Sequence, residues 1–254
     1  MKYLIAFLSL LFLWPCEALA LQVKQHMQTS IGIFDATEQT LMYQFSDGGK
    51  YEIKTTLKTI GSFGFLYPFE ALYNTVGVHY GDLFKPNIYY QEAKSRFNKR
   101  TKKIVYADGI PQYRISTKNE KKRQDKIIVD EKYEQSIDLL STLGVVIQEI
   151  INDGKCDLRR YSFGGKHYSL SEIKTVGKEK IKTNYFEGNA LKCEYHLEVL
   201  DDAEAGFLLD GKEPIYFWVL QDEKSKAYFV ARVLVETTPF GKLESVTTKL
   251  EVIK

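Results

Sequence analysis

Apolar and polar side chains alternate with a period of two through most of this chain, in short runs separated by turn-forming residues. Successive strand residues point to opposite faces, so such a pattern is satisfied by a half-buried antiparallel sheet. Tyr51, Ile53, Thr55 and Leu57 share one face, while Glu52, Lys54, Thr56 and Lys58 share the other. The preceding Leu41, Tyr43, Phe45 run joins it through Ser46-Asp47-Gly48-Gly49, which predicts a β-hairpin. Leu191, Cys193, Tyr195, Leu197 and Val199 alternate against Lys192, Glu194, His196 and Glu198, placing Cys193 on an apolar face. Further strand candidates run Leu72 to Tyr80, Ile88 to Phe97, Lys103 to Ala107, Tyr113 to Thr117, Asp157 to Phe163, His167 to Val176, Ile215 to Leu220, Tyr228 to Glu236 and Leu243 to Val252. Gly81-Asp82, Asp108-Gly109, Gly164-Gly165, Asp222 to Lys226 and Pro239-Phe240-Gly241 separate them with the turn chemistry of successive hairpins. The 17 Tyr and 15 Phe suit a pleated, half-buried surface and exclude a disordered chain.

One helix interrupts this pattern. Ile137, Leu140, Gly144, Ile147 and Ile151 form a stripe that Leu139, Leu143, Val146 and Ile150 widen, with Ser136 as the expected N-cap and Gly154 as the C-terminal stop. The expected fold is all-β: an up-and-down antiparallel barrel or strongly curved half-barrel of about ten strands, the helix over about 136–152 packing at its end or open face. Lys118 to Lys126, which contains Glu120 and Asp125, reads as a polar loop.

Lys2, an apolar run from Tyr3 to Trp14 and Ala18-Leu19-Ala20 have the form of a cleaved secretory signal over residues 1–20. Residues 21–254 are then expected as a single periplasmic domain. Trp14-Pro15 before Cys16 fits a lipoprotein signal poorly. Removing the signal leaves Cys156 and Cys193, a pair expected to be bridged in an oxidising compartment, two buried thiols being the alternative. A formal net charge of +2 gives no reason to expect nucleic acid. The longest later apolar stretch, Leu139 to Ile151, is interrupted by polar residues, so an integral helical membrane protein is not expected.

The residues that could carry chemistry each have a plain structural explanation. His196 and Glu198 share the solvent-facing side of a strand, where they read as ordinary polar residues, and a bridged Cys156 would leave His167 without a thiol partner. Asp201, Asp202 and Glu204 fall in a turn-like stretch suited to a solvated loop. No nucleophile elbow, zinc-protease motif, P-loop or dinucleotide fingerprint occurs, and neither a catalytic residue, a metal site nor a cofactor is implied. Lys94, Arg96, Lys99, Arg100, Lys102 and Lys103 form the densest basic run, a candidate contact for anionic lipid headgroups or other envelope polymers, or otherwise a soluble turn that blunts edge pairing. Phe63, Phe65, Tyr67 and Phe69, interleaved with Gly61, Gly64 and Pro68, suggest a loop at a barrel mouth, or a loop pinned by its aromatics into the core.

The segment after the helix carries a more specific pattern. Cys156, then Tyr161-Ser162-Phe163-Gly164-Gly165-Lys166-His167-Tyr168-Ser169-Leu170, then Tyr185-Phe186-Glu187-Gly188-Asn189-Ala190-Leu191-Lys192-Cys193 resembles the exported bacterial family called domain of unknown function 3108. Gly164 stands where that family often has Asp. Asp138 to Leu143 resembles its Asp-Pro-Leu-Ser helix start, with Leu139 in place of the proline. Gly77 through Gly81, Leu83 and Pro86, and Trp218 with the strand from Tyr228 to Thr237, follow in the family's order. The resemblance implies an exported, β-barrel-like domain and no particular activity. Its outline is similar to periplasmic half-barrel carriers of lipids and lipoproteins, an analogy of fold alone. The leading expectation is a non-enzymatic carrier or binder of an apolar or amphipathic envelope molecule, such as a lipid or an acyl-bearing protein. The alternative is a protein-binding or structural envelope module with a filled barrel, and the third reading is an uncharacterised hydrolase.

Overall fold

The computed structural model describes residues 21–46, 48–200 and 213–253. The expected signal over residues 1–20, Asp47 of the first hairpin turn and the Asp201, Asp202 and Glu204 loop lie outside the described residues. Among the described residues, fourteen strands form one antiparallel sheet. The first meander comprises β1 (Leu21–Ile31), β2 (Phe34–Phe45), β3 (Lys50–Thr59), β4 (Phe69–Tyr80), β5 (Leu83–Ser95), β6 (Lys99–Ala107), β7 (Ile110–Lys118) and β8 (Lys121–Lys126). The short α1 (Gly61–Leu66) joins β3 to β4, and α2 (Leu139–Asp153) follows β8. The second meander comprises β9 (Leu158–Phe163), β10 (Tyr168–Lys182), β11 (Glu187–Val199), β12 (Ile215–Gln221), β13 (Tyr228–Val235) and β14 (Leu243–Ile253). Pairing of β14 with β1 fuses the two meanders and leaves β8 and β9 as the sheet edges.

The expected count of about ten falls short of fourteen, and the twelve strand segments marked out in the sequence omit β1 and β8. The inward face of β1 is Val23, Gln25, Met27, Thr29 and Ile31, so two polar residues dilute its apolar pattern. Gln25 is fully buried, and its Oε1 accepts the Val230 N–H at 3.2 Å where β13 peels away from β14. A buried backbone group freed from the ladder needs such a partner. The stretch Lys118 to Lys126, expected to be a loop, is instead the end of β7, a tight turn and β8. Asn119 and Glu120 both adopt positive φ, 45° and 71°, the geometry of a two-residue hairpin turn.

α2 lies against the concave face, where it fills much of the interior. Its N-cap is Asp138, not the expected Ser136: the Asp138 Oδ1 accepts the N–H groups of Leu140 and Ser141, each at 3.0 Å. Gly154 ends it with φ 65°, donating its N–H to the Ile150 carbonyl. A Cβ on Gly144 would stand 2.6 Å from Phe84 Cε1 and 2.8 Å from Ile53 Cδ1, so only glycine lets the helix approach β3 and β5 this closely. One face of α2 packs Val145 and Ile147 with Val23, Leu41, Tyr43, Ile53 and Phe84; another packs Val146 and Ile150 with Ile173, Leu191, Phe217 and Val219. Polar links reinforce both sides. Ser141 bonds the Tyr51 hydroxyl at 2.7 Å, and Thr142 bonds Ser162, which continues to Ser171 and the Tyr195 hydroxyl.

Cys156 and Cys193 form the expected disulfide, with Cα atoms 6.3 Å apart, stapling the chain just after α2 to β11. Curvature brings β9 back over β6, where Phe163 packs with Tyr89, Ile104 and Tyr106. No ladder joins β8 to β9; Ile137, just before α2, instead forms a parallel bridge with Ser162 of β9. The fold is therefore a strongly curved meander closed by side chains and one short bridge.

Candidate anion-binding cleft

The concavity beyond the reach of α2 is open. Alternation on β6 sends Ile104 and Tyr106 under the helix end of the core and, further along the same face, sends Lys102 and Arg100 into this open half. Cross-strand register adds to that face: Arg114 pairs with Ile104, Ser116 with Lys102 and Lys118 with Arg100, while on β8 Arg123 pairs with Ser116 and Lys121 with Lys118. The β9–β10 turn closes over them and contributes Gly165 and Lys166. The result is a cleft of about 820 Å³ with seven cationic lining residues, Arg100, Lys102, Arg114, Lys118, Lys121, Arg123 and Lys166, and no acidic one. Phe69 and Ala93 give it a partly apolar wall.

The overhanging turn is held by the cations themselves. Lys102 Nζ donates to the Gly164 carbonyl at 2.6 Å, and Arg114 Nη1 to the Gly165 carbonyl at 2.9 Å. Gly165 has φ 89°, and a Cβ there would fall 2.9 Å from both Ile104 Cδ1 and Lys102 Cδ, so glycine is required on both counts. Burial of Lys102, and then the charge of Arg114, lower the Lys102 pKa. Outside the lining, Asp125 accepts from Arg114 Nη2 and Arg123 Nε, each at 2.7 Å, and those bonds hold its carboxyl below the usual range. Arg100, Lys118, Lys121 and Lys166 make no ion pair with any described carboxylate. Their charge is available to a ligand. Guanidinium groups bind carboxylate or phosphate through paired hydrogen bonds, with ammonium groups as adjacent point charges.

The basic run is split by the pleat. Arg100 and Lys102 line the cleft, whereas Lys94, Lys99 and Lys103 face the convex side. There Lys99 pairs with Glu92 at 2.9 Å, and Lys94 lines a 530 Å³ groove together with Glu38, Glu70 and Glu92. Arg96, in the β5–β6 turn, donates to the Phe65 carbonyl at 3.0 Å. The cleft residues missed by sequence reasoning, Arg114, Lys118, Lys121, Arg123 and Lys166, had a findable signal in part: at two-residue spacing Lys121 and Arg123 share a face, a pattern hidden once the segment is read as a loop.

The aromatic segment is a correction too. It forms α1 and the start of β4, and its side chains are not pinned into the core: Phe65 and Tyr67 are 79% and 70% exposed, Phe63 is half-buried, and Phe69 lines the cleft. The apolar void between α2 and β1, β2, β12 and β13 is about 20 Å³, room for one water and not for an acyl chain. Of the histidines, His196 pairs with Glu194 at 2.6 Å and His79 stacks on Phe84, while the disulfide occupies the Cys156 sulfur that a His167 partnership would need. No described helix is long and apolar enough to cross a membrane.

Among solved structures the chain is similar to one from Bacteroides fragilis, described as an exported protein with a YmcC-like fold. The two are 8% identical, the likeness covers 91% of this chain and 95% of that one, and the TM-score of 0.33 is too low to add to the fold described above. No curated protein matches. The model of the family described as protein of unknown function (DUF3108) matches residues 26–250, and the chain belongs to that family.

Proposed function

We propose that this chain is an exported, non-enzymatic binding protein of the periplasm whose cationic cleft takes the anionic group of an amphipathic envelope molecule. One observation carries the reading: seven cations converge on an open concave cleft whose lining contains no carboxylate. Like charges gathered on one wall repel one another, and a bound anion relieves that repulsion. The filled interior moves the reading away from an acyl-chain carrier, because the enclosed apolar void is about 20 Å³. The ligand's polar end is what the fold recognises.

The test is calorimetric titration of the purified protein with dihexanoyl-phosphatidylglycerol, kept monomeric, against dihexanoyl-phosphatidylcholine. Saturable binding of the anionic lipid, weakening as salt rises and lost in an Arg100→Gln, Lys118→Gln, Lys121→Gln variant, is the expected result. No binding at low salt, or binding unchanged in that variant, overturns it. A structural or protein-docking envelope module is the second reading, favoured by the interior that α2 fills. It predicts no binding of either lipid.

A further inference from the structure

Turns are where polar side chains are easiest to accommodate, yet three turns at one end of this sheet expose large apolar ones. Ile33 in the β1–β2 turn is 91% exposed, Phe97 in the β5–β6 turn 80% and Phe65 of α1 79%, with Phe34, Leu66 and Tyr67 also exposed beside them. These tips form one continuous edge. The Ile60 N–H donates to the Ala36 carbonyl, tying α1 to β2, and Arg96 donates to the Phe65 carbonyl, tying the β5–β6 turn to α1. The same edge borders the cleft: Phe69, Ser95 and Asn98 line it, and Asn98 bonds Asn119 in the turn between Lys118 and Lys121.

Exposed apolar tips next to unpaired cations fit a surface that is apolar within and anionic at its headgroups. We propose that this end docks on an anionic phospholipid bilayer, inserting Ile33, Phe65, Leu66 and Phe97 at the headgroup boundary and presenting the cleft to the headgroups. The partner's charge rests on the reading of the cleft given above; the insertion rests on the tips.

Vesicle flotation with mixed phosphatidylcholine and phosphatidylglycerol, against pure phosphatidylcholine, tests this. Wild type is expected to float with the anionic vesicles. Phe65→Ser with Phe97→Ser lowers that partitioning roughly 10- to 100-fold while leaving titration with dihexanoyl-phosphatidylglycerol unchanged. Leu83→Ser, at the opposite end, leaves both unchanged. In a Phe97→Trp variant the added indole is quenched by brominated lipid, while Trp218, 2% exposed, is not. Wild-type partitioning by the double serine variant, or no vesicle binding at all, overturns the docking edge. Loss of soluble-lipid binding with tip-dependent vesicle binding retained would overturn only the cleft reading.

Discussion

Asp138 is the residue on which the helix plug depends most, and its removal has a calculable effect. The side chain is 1% exposed and all its acceptor capacity is engaged. Oδ1 takes the N–H groups of Leu140 and Ser141, while Oδ2 accepts from Ser141 Oγ at 2.6 Å and Thr75 Oγ1 at 3.0 Å. Asp138→Ala removes a helix cap, about 1 kcal/mol, and strands buried hydroxyls, about 1–3 kcal/mol. The expected loss is about 2–4 kcal/mol, or roughly 5–15 °C in Tm for a chain of this size. Asp138→Asn keeps an acceptor for both N–H groups, and the Ser141 and Thr75 hydroxyls can rotate to accept from its amide, so its loss is smaller. Burial, the largest influence, raises the Asp138 pKa, opposed by the bonds from Ser141, Thr75 and Leu140. With the folded value above the unfolded one, the stability this group contributes is present below the ordinary carboxylate range and lost as pH rises through the folded value. Asp138→Asn, which does not titrate, therefore falls furthest below wild type at acid pH and closes the gap as pH rises. Urea unfolding followed by Trp218 fluorescence, at a series of pH values, reads this directly. A gap that widens with pH, or an alanine variant no worse than the asparagine one, would refute the reasoning.

Two further outcomes follow from the staple and the turn. Replacing both Cys156 and Cys193 by Ala releases a link across 37 residues and should cost about 4 kcal/mol on the chain-entropy account; calorimetry on the variant checks it, and thiol labelling of denatured, unreduced wild type should find no free thiol in the exported form. Gly165→Ala meets both a positive φ and the Ile104 and Lys102 side chains, so it should destabilise by about 1–3 kcal/mol and weaken dihexanoyl-phosphatidylglycerol binding, measured by the titration above, whereas Gly241→Ala, with open space around it, should leave that binding unchanged.

Strand faces are a local property, because the side-chain period is two whatever the sheet packs against. Tyr51, Ile53 and Thr55 therefore announced β3, and Cys193 announced its inward position, before any tertiary contact was known. Compartment chemistry and an even cysteine pair likewise anticipated the Cys156–Cys193 bridge. Where the pattern misled, a tertiary partner had replaced the local rule. Gln25 sits inward because Val230 needs its carbonyl oxygen, and Asp138 displaces Ser136 as the cap because Thr75 and Ser141 complete its shell. Phe65 and Tyr67 stay outside because a six-residue helix at a sheet end has too little neighbouring surface to cover them. Of the cleft, sequence reading reached Arg100 and Lys102 as members of a basic run but not the cleft itself. Arg100, Arg114, Arg123 and Lys166 lie on three strands and a turn from the far side of α2, and their convergence depends on how far the sheet curls before β9 returns across β6. That curvature is set by the volume of the helix packed inside, a property of the assembled core that no run of residues encodes alone.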